Sequence, residues 1–532
     1  MIHNPVLRGF NPDPSICRVG DVYYMAVSTF QWFPGVRIYQ SKDLVCWEHA
    51  AYALTRESQL PMLGTPDSTG VWAPCLSYSD GLFYLIFTNV RNRCRAMDVT
   101  NYLVTAPAVT GPWSEPIELN HSGFDPSLFH DEDGRKWLVN MRWGVREGEN
   151  PFSGILLQEY SETEKKLVGP CRNIFRGTNI GLTEAPHLYR RDGWYYLMTA
   201  EGGTGYNHAV TLARSRNLFG PYEVHPQNPV LTSHGTELTE CLQKAGHGSL
   251  TDTPDGRWYL AHLCGRPAPE TDRCIMGRET AIQAVEWHDD DWLYLSSGGN
   301  HPQMDVPVPG VQTETPMLTV QHDTFDEPVL NPEWNTLRIP ASERLLSLTA
   351  RPGWLRLFGR ESPQSTYEQS LVARRVQNFC YTAETEMEFQ PTSILQMAGL
   401  ICYYNTRNSY YLRVSWDEDH EAYCVGVLAN VNGDCSGSVP QKENLLFTQN
   451  GRIGLRVQAG PRSLQFSCRL PGTAEWTPVG PVYDASTLSD DFAFGSDFEF
   501  TGAFVGLCCQ DSMYGGTPAD FDAFSYVENA EK

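Results

Sequence analysis

Five times along the chain a short turn rich in proline or glycine precedes an aromatic strand by a similar distance. Asn11-Pro12-Asp13-Pro14-Ser15 leads into Asp21-Val22-Tyr23-Tyr24-Met25, and Trp72-Ala73-Pro74-Cys75-Leu76 leads into Gly81-Leu82-Phe83-Tyr84-Leu85. Phe124-Asp125-Pro126-Ser127-Leu128 then precedes Trp137-Leu138, Thr183-Glu184-Ala185-Pro186-His187-Leu188 precedes Trp194-Tyr195-Tyr196-Leu197, and Gly246-His247-Gly248-Ser249-Leu250 precedes Trp258-Tyr259-Leu260. Tyr24, Tyr84, Trp137, Tyr196 and Tyr259 taken as equivalent give a period of about 60 residues, the kind of spacing that marks a repeat architecture. Copies that each read as antiparallel strands predict a five-bladed β-propeller. The echo sets Asp13, Asp125, Glu184 and His247 in nearly the same slot of four blades. If that slot lines the central channel, three acids and a histidine converge where one small ligand could sit.

A chain of 532 residues is too long for one ordinary core, so at least two domains are expected. The repeats end near Tyr294, and Ser296-Ser297-Gly298-Gly299-Asn300 and Val306-Pro307-Val308-Pro309-Gly310 read as the approach to a second domain. Beyond residue 319 the echo gives way to period-two alternation, as in Ala383-Glu384-Thr385-Glu386-Met387-Glu388-Phe389 and Tyr410-Tyr411-Leu412-Arg413-Val414, which points to antiparallel strands with one polar face. The expected organisation is all-β: a propeller over 1–305, a linker over 306–318, and a lectin- or jelly-roll-like β-sandwich over 319–532.

A formal net charge of −23 counts against nucleic acid or an anionic membrane as partner. Trp, Tyr and Phe at 12% of residues suit a carbohydrate site, where sugar faces stack on rings and hydroxyls bond to carboxylates. Most individual aromatics are nevertheless strand core. The start, Met1-Ile2-His3-Asn4-Pro5, lacks a basic stretch followed by an apolar run, and the expectation is a cytoplasmic protein. Fifteen cysteines without a CxxC pair read as reduced core thiols.

Glycoside hydrolysis needs a protonated carboxylic acid at the leaving oxygen and a carboxylate that activates water or attacks the anomeric carbon. Asp13, between two prolines, is short and stiffly held, which suits aiming one water. Glu184 has one more methylene and reaches further, which suits the general acid. Asp125 between them would raise the pKa of Glu184 by its charge. Each acid alone reads as a turn or surface residue; their register within the repeat argues for a site. His247 between two glycines could be a core histidine, a ligand donor or a partner for an ion. Arg278 could bind sugar hydroxyls, orient an acid, or simply pair with Glu279 or another local acid.

Asn11-Pro12-Asp13-Pro14-Ser15, Trp72-Ala73-Pro74, Gly123-Phe124-Asp125-Pro126-Ser127, Thr183-Glu184-Ala185-Pro186-His187, Gly246-His247-Gly248-Ser249, Gly277-Arg278-Glu279-Thr280 and Phe500-Thr501-Gly502-Ala503-Phe504-Val505-Gly506 together resemble glycoside hydrolase family 43, specifically its two-domain β-xylosidases. The resemblance implies an inverting, exo-acting enzyme that releases xylose from the non-reducing ends of short β-1,4-xylo-oligosaccharides. It implies Asp13 as general base, Asp125 as the residue tuning the acid, and Glu184 as general acid. Arg278 would lie against the sugar, with Trp72, Phe30 and Trp143 on the pocket wall and Phe504 narrowing the pocket from the sandwich. His247 would lie near a structural Ca2+ in the channel, often held through water, with no cofactor needed for the chemistry, and the protein would be a dimer or tetramer. Related readings are an α-L-arabinofuranosidase or an enzyme acting on both linkages; a non-catalytic sugar-binding propeller is the reading from a different class.

Overall fold

The structure, a computed structural model, describes residues 1–238, 242–311, 318–435, 444–493 and 499–529. Local turn chemistry sets the strand pairing. Asp80-Gly81 and Asp192-Gly193 carry positive φ at both positions (53° and 82°, 50° and 77°), the two-residue hairpin turn whose twist matches the flanking strands. Ser79 consequently faces Leu82, and Arg191 faces Trp194.

The chain forms two compact units, Met1–Arg266 with Arg278–Thr315, and Pro267–Gly277 with Pro316–Lys532. The first is a five-bladed propeller in which every blade is an antiparallel sheet of successive strands. Blade one is Ser15–Val19, Val22–Val27, Gly35–Ser41 and Glu48–Leu54; blade two is Gly70–Ser79, Leu82–Val90, Val99–Ala106 and Ile117–Asn120. Blade three is Ser127–His130, Lys136–Trp143, Phe152–Ser161 and Lys166–Phe175. Blade four is Glu184–Arg191, Trp194–Glu201, Ala209–Ser215 and Glu223–Val224, with Leu231–Thr232 also on its third strand; blade five is Gln243–Asp252, Trp258–Gly265, Arg278–Trp287 and Leu293–Leu295.

Apolar cores fill the gaps between blades. Ala26 and Ile38 of blade one pack with Leu85 and Val104 of blade two, Ile86 with Leu138 joins blades two and three, and Val139 with Leu197 joins three and four. Met198 with Leu260 joins blades four and five, and Met25 with Tyr259 and Ile282 closes the circle between one and five. The aromatic repeat read in the sequence is this inter-blade packing: Tyr84, Trp137, Tyr196 and Tyr259 are all buried.

Around the channel the innermost strands are also tied by hydrogen bonds at equivalent positions. The Leu76 amide donates to Ser15 Oγ at 2.9 Å, and the Ile16 amide donates to Ser249 Oγ at 3.1 Å. A backbone hydrogen bond joins Leu128 to the Cys75 thiol, Ser127 Oγ donates to the Pro186 carbonyl at 2.6 Å, and the Leu250 amide donates to Tyr189 Oη at 2.9 Å. All five blade junctions are bridged in this way. Each tie satisfies a polar group that blade stacking has removed from water, and leaving such a group unpaired is what burial penalises. On the outer part of the first-to-fifth junction, Arg18 grips Asp252 with both ends of its guanidinium, NH2 lying 2.8 Å from Oδ2.

The second unit is a β-sandwich. One sheet runs Leu346–Ser347, Leu355–Phe358, Pro518–Glu528, Tyr381–Phe389, Ile453–Gly460, Ser463–Arg469 and Thr477–Asp484, with Val320–Asp323 on the Pro518–Glu528 strand. The other orders Leu445–Phe447, Ala422–Asn430, Asn408–Asp417, Gln396–Asn405, Phe504–Asp511, Leu371–Arg375 and Asn335–Leu337. The alternation read over residues 383–389 is real: along Tyr381–Phe389 every second side chain is buried, and Ala383 and Met387 share one core with Leu400, Leu412 and Leu507 of the facing sheet. A four-residue helix, Asp490–Ala493, is the one α-helix among the described residues.

The units divide differently from the sequence expectation in two places. Residues 267–277 go with the second unit because Ala268, Ile275 and Met276 bury in its core. At the linker, Val306 and Val308 bury with Met25 and Tyr259 of the first unit, and Val306 pairs with Ile2. Apolar side chains within a Pro-rich stretch decided the boundary there.

The inter-blade ties can be weighed by removing single hydroxyls. Ser15→Ala and Ser249→Ala each strand a buried amide and are expected to lower the unfolding free energy by about 1–3 kcal/mol, measured by urea denaturation followed through tryptophan fluorescence.

Candidate active site

The repeat carries a backbone signature at the inner end of its strands. Asp13, Asp125, Ala185 and His247 all adopt left-handed φ, at 55°, 53°, 49° and 53°. Each stands two residues before an equivalent pairing, Ser15 with Ala26, Ser127 with Val139, His187 with Met198, and Ser249 with Ala261. Asp and His tolerate this conformation better than most residues, whereas Ala is held in it by its surroundings. In blade four it is Ala185 that occupies the slot, so Glu184 stands one position before it. The extra methylene of Glu184 goes with that offset. Blade two has Ala73 at the corresponding place and no acid.

Asp13 is 4% exposed and its two oxygens have different partners: Arg278 NH1 lies 2.6 Å from Oδ1, and Ser28 Oγ donates to Oδ2 at 2.6 Å. His247 Nδ1 lies 3.7 Å from Oδ1. Arg278, itself 2% exposed, spends its charge on Asp13, while Glu279 beside it binds Arg266 through both carboxylate oxygens and accepts the Gly9 amide at 2.6 Å. Arg278 thus pairs with Asp13, and Glu279 with Arg266. Ser28 had no signal in the sequence, because it follows a strand as one serine among many and only the strand register carries it to Asp13.

Asp125 Oδ2 accepts the Ala185 amide at 3.1 Å, linking blades three and four at the site. Burial first, and the charge of Asp13 second, push the Asp125 carboxyl up to about 8. Glu184 is raised well above the ordinary carboxylate range, with burial again the leading cause, followed by Asp125 and Asp13, and Arg278 pulling it back. Sequence reasoning assigned the raising of Glu184 to Asp125; desolvation in the channel is the larger cause. The loop before Glu184 is pinned by the buried Glu201, which accepts Thr178 N at 2.9 Å and Thr183 Oγ1 at 3.1 Å. Glu201 and Thr183 were also missed, since a carboxylate at a strand end reads as solvent-facing until the fold covers it.

The aromatic candidates form a continuous series. Ring centroids lie 6.3 Å apart for Phe30 and Trp72, 5.0 Å for Trp72 and Phe124, and 5.8 Å for Phe124 and Trp143. Phe30 is in the left-handed region at φ 51°, locked by a two-way bridge to Val71, and the Arg278 guanidinium lies 5.3 Å from its ring. A Cβ on Gly70 would come 2.6 Å from the Phe30 carbonyl, so glycine is required there. The Trp72 indole donates to Ser68 O and the Trp143 indole to Arg95 O. Phe504 stands in the second unit, opposite Tyr403 and Arg375, with the Arg375 guanidinium 5.6 Å from its ring.

Burial keeps the channel histidines neutral: His247 is lowered, His187 falls to about 3, and His208 lies well below its ordinary value. Gly246 admits the His208 ring, which a Cβ would strike. A Ca2+ ion takes about six to eight oxygens. Around His247 the wall offers imidazole nitrogens, and among the described residues no three His, Cys, Asp or Glu side chains converge to hold a metal. These side chains do not make a calcium cage.

Comparison with known proteins agrees with this arrangement. Residues 2–293 match the model for glycosyl hydrolases family 43, and residues 322–527 match that for the beta xylosidase C-terminal concanavalin A-like domain. The chain is 48% identical to a beta-xylosidase of Bacillus subtilis (strain 168), covering 99% of each protein, and 48% identical to xylosidase/arabinosidase 43B of Humicola insolens, covering 99% of this chain and 97% of the relative. Among solved structures, the xylan beta-1,4-xylosidase from Bacillus Halodurans C-125 superposes with a TM-score of 0.96 at 52% identity, covering 99% of this chain and all of that one. Matches of this length and identity, on a propeller with its acids gathered at the channel, establish that the chain belongs to glycosyl hydrolases family 43.

Proposed function

We propose that this protein is an exo-acting, inverting β-xylosidase that releases xylose from the non-reducing ends of β-1,4-xylo-oligosaccharides. The observation that carries the chemistry is the pairing, within one channel, of a buried Glu184 raised into its protonated form and an Asp13 whose two oxygens are fixed by Arg278 and Ser28. The names of the full-length relatives carry the sugar.

In this reading a xylosyl ring lies between blade one and blade four. Asp13 accepts a proton from a water whose oxygen bonds to the anomeric carbon on one face. Glu184 gives its proton to the glycosidic oxygen as the bond from the anomeric carbon breaks on the other, so configuration inverts. Arg278 and Ser28 hold the base in a single orientation, which fixes the water it aims. Burial keeps Glu184 protonated; Asp125, through the Ala185 amide, places the backbone from which Glu184 projects, and once ionised at higher pH its charge raises the Glu184 pKa further. Phe30, Trp72 and Trp143 supply the apolar wall against which the sugar ring packs. Two carboxylates complete this hydrolysis, and no step is routed through a metal. A structural Ca2+ beside His247 would have to be carried largely by water.

A second reading, action on α-L-arabinofuranosides, is favoured by the dual name of the Humicola insolens relative. We also propose a cytoplasmic location and a dimer or tetramer. Exposed thiols at Cys94 and Cys171 suit a reducing compartment.

NMR of xylobiose hydrolysis is expected to show α-xylose as the first product, with turnover by Asp13→Ala and Glu184→Ala reduced at least about a hundredfold, the scale of a lost acid or base. Initial β-xylose would overturn inversion, and cleavage of an aryl α-L-arabinofuranoside in place of xylobiose would transfer the assignment to the second reading. The pH dependence has a definite sign. Glu184 serves while protonated, so kcat/KM falls as pH rises through its elevated pKa; Asp125→Asn removes a charge that raises that pKa and is expected to move the alkaline limb to lower pH, measured from pH–rate profiles of both proteins. The two carboxyls titrate as a coupled pair, so the limb reports both. Fractionation of the native cells is expected to place the enzyme with their soluble contents, and light scattering to give a dimer or tetramer.

A further inference from the structure

Glu184 is the first residue of its strand, and the chain that delivers it is not held by a strand ladder. Its backbone pairs with Ala200, and the next bond between the two chains runs from the Gly202 amide to Gly181 O at 2.8 Å. Leu182 and Thr183 stand out of the ladder opposite Glu201, with Gly181 and Leu182 in the left-handed region at φ 78° and 55°. Apolar packing does not fix this approach either, since Ile180 and Leu182 are 39% and 41% exposed. One buried side chain fills the gap. Glu201, fully buried at the end of its strand, accepts the Thr178 amide at 2.9 Å, the Thr178 hydroxyl, and the Thr183 hydroxyl at 3.1 Å. The Thr178 oxygen passes the hold outward by accepting the Ile180 amide at 3.2 Å. Gly177 closes over the cluster, where a Cβ would strike Thr183 Oγ1 and press on Glu201 Oε1.

Three donors converging on one point suit a group with two accepting oxygens and no donor of its own, which a carboxylate is and an amide is not. Burying a carboxylate is costly unless it is hydrogen-bonded, and here every bond it makes goes to the segment that delivers Glu184. On the other flank the Ala185 amide donates to Asp125 Oδ2 at 3.1 Å. Glu184 is gripped through both of its chain neighbours, each time by a carboxylate. We propose that Glu201 is a positioning residue for the acid of the reaction, acting through Thr183 to fix the direction in which the Glu184 side chain leaves the backbone. The inference rests on the reading of Glu184 as general acid. Its consequence is selective: a loosened Glu184 fails where the leaving oxygen needs a proton, and matters little where it does not.

The test uses the whole enzyme on two substrates. Xylobiose has a leaving alkoxide that must be protonated, whereas 2,4-dinitrophenyl β-xyloside releases a phenol acidic enough to depart as its anion. For Glu201→Leu and Thr183→Val, the ratio of kcat/KM on xylobiose to kcat/KM on the dinitrophenyl xyloside is expected to fall by about ten- to a hundredfold, the scale on which a misplaced acid loses its contribution. Thr183→Ser keeps the hydroxyl and is expected to hold the ratio of the unmodified enzyme. A ratio unmoved in the first two variants overturns the inference, as do equal losses on both substrates, which a merely structural role would give. Should Glu201→Leu not fold, the two Thr183 variants decide the question alone. Glu184→Ala separates the inference from the reading beneath it. A ratio unmoved in that variant removes Glu184 as the acid and the role of Glu201 with it; a ratio that collapses there and holds in the others removes the role of Glu201 alone.

Discussion

The innermost strands of the propeller stand around the channel with no shared sheet between blades, so each junction has to be held by something other than a strand ladder. Ser15, Ser249 and Ser127, with Cys75 and Tyr189, do this by bonding one blade's side chain to the next blade's backbone. These ties sit immediately beyond Asp13, Asp125, Ala185 and His247, and they fix the angle at which each inner strand begins. The position of every channel carboxylate depends on them. Apolar packing between blades contributes more energy but is non-directional; hydrogen bonds set the register to which that packing conforms.

Three acids gathered with one nearby arginine are costly, and the cost is what gives the site its chemistry. Arg278 is committed to Asp13 at 2.6 Å and only weakly offsets the others. Burial then leaves Asp125 and Glu184 better off protonated. A carboxylate oriented by a cation and a carboxyl kept neutral by desolvation are thus two outcomes of one uneven charge distribution. The same unevenness keeps the channel imidazoles neutral, because the arginine and the low-dielectric wall both oppose a second positive charge.

Much of this was legible from residue order. The aromatic repeat announced five blades because inter-blade cores need a large side chain at a constant place in each copy, and the alternation after residue 319 announced a sandwich because one face of each strand is buried. The acids were legible through their register in the repeat. The offset of Glu184 from the slot was not, since it depends on which residue takes the left-handed turn, and Ala185 in blade four takes the turn that Asp13 and Asp125 take in theirs. Ser28, Glu201 and Thr183 were invisible because each acts on a residue distant in sequence through strand pairing. The excursion at 267–277 was invisible for a related reason: its apolar residues look like any loop's until the core that receives them is known.

By itself the sequence determined the class of fold, the count of blades and the identity of the acids, because periodic burial and turn chemistry are local and are written at fixed spacings. The tertiary structure alone decided the surroundings of each acid. Burial, not neighbouring charge, dominates the rise of Glu184, and the partner of Arg278 is Asp13 and not Glu279. Desolvation and charge pairing depend on distances between residues far apart in the chain, and those exist only once the ring of blades has closed.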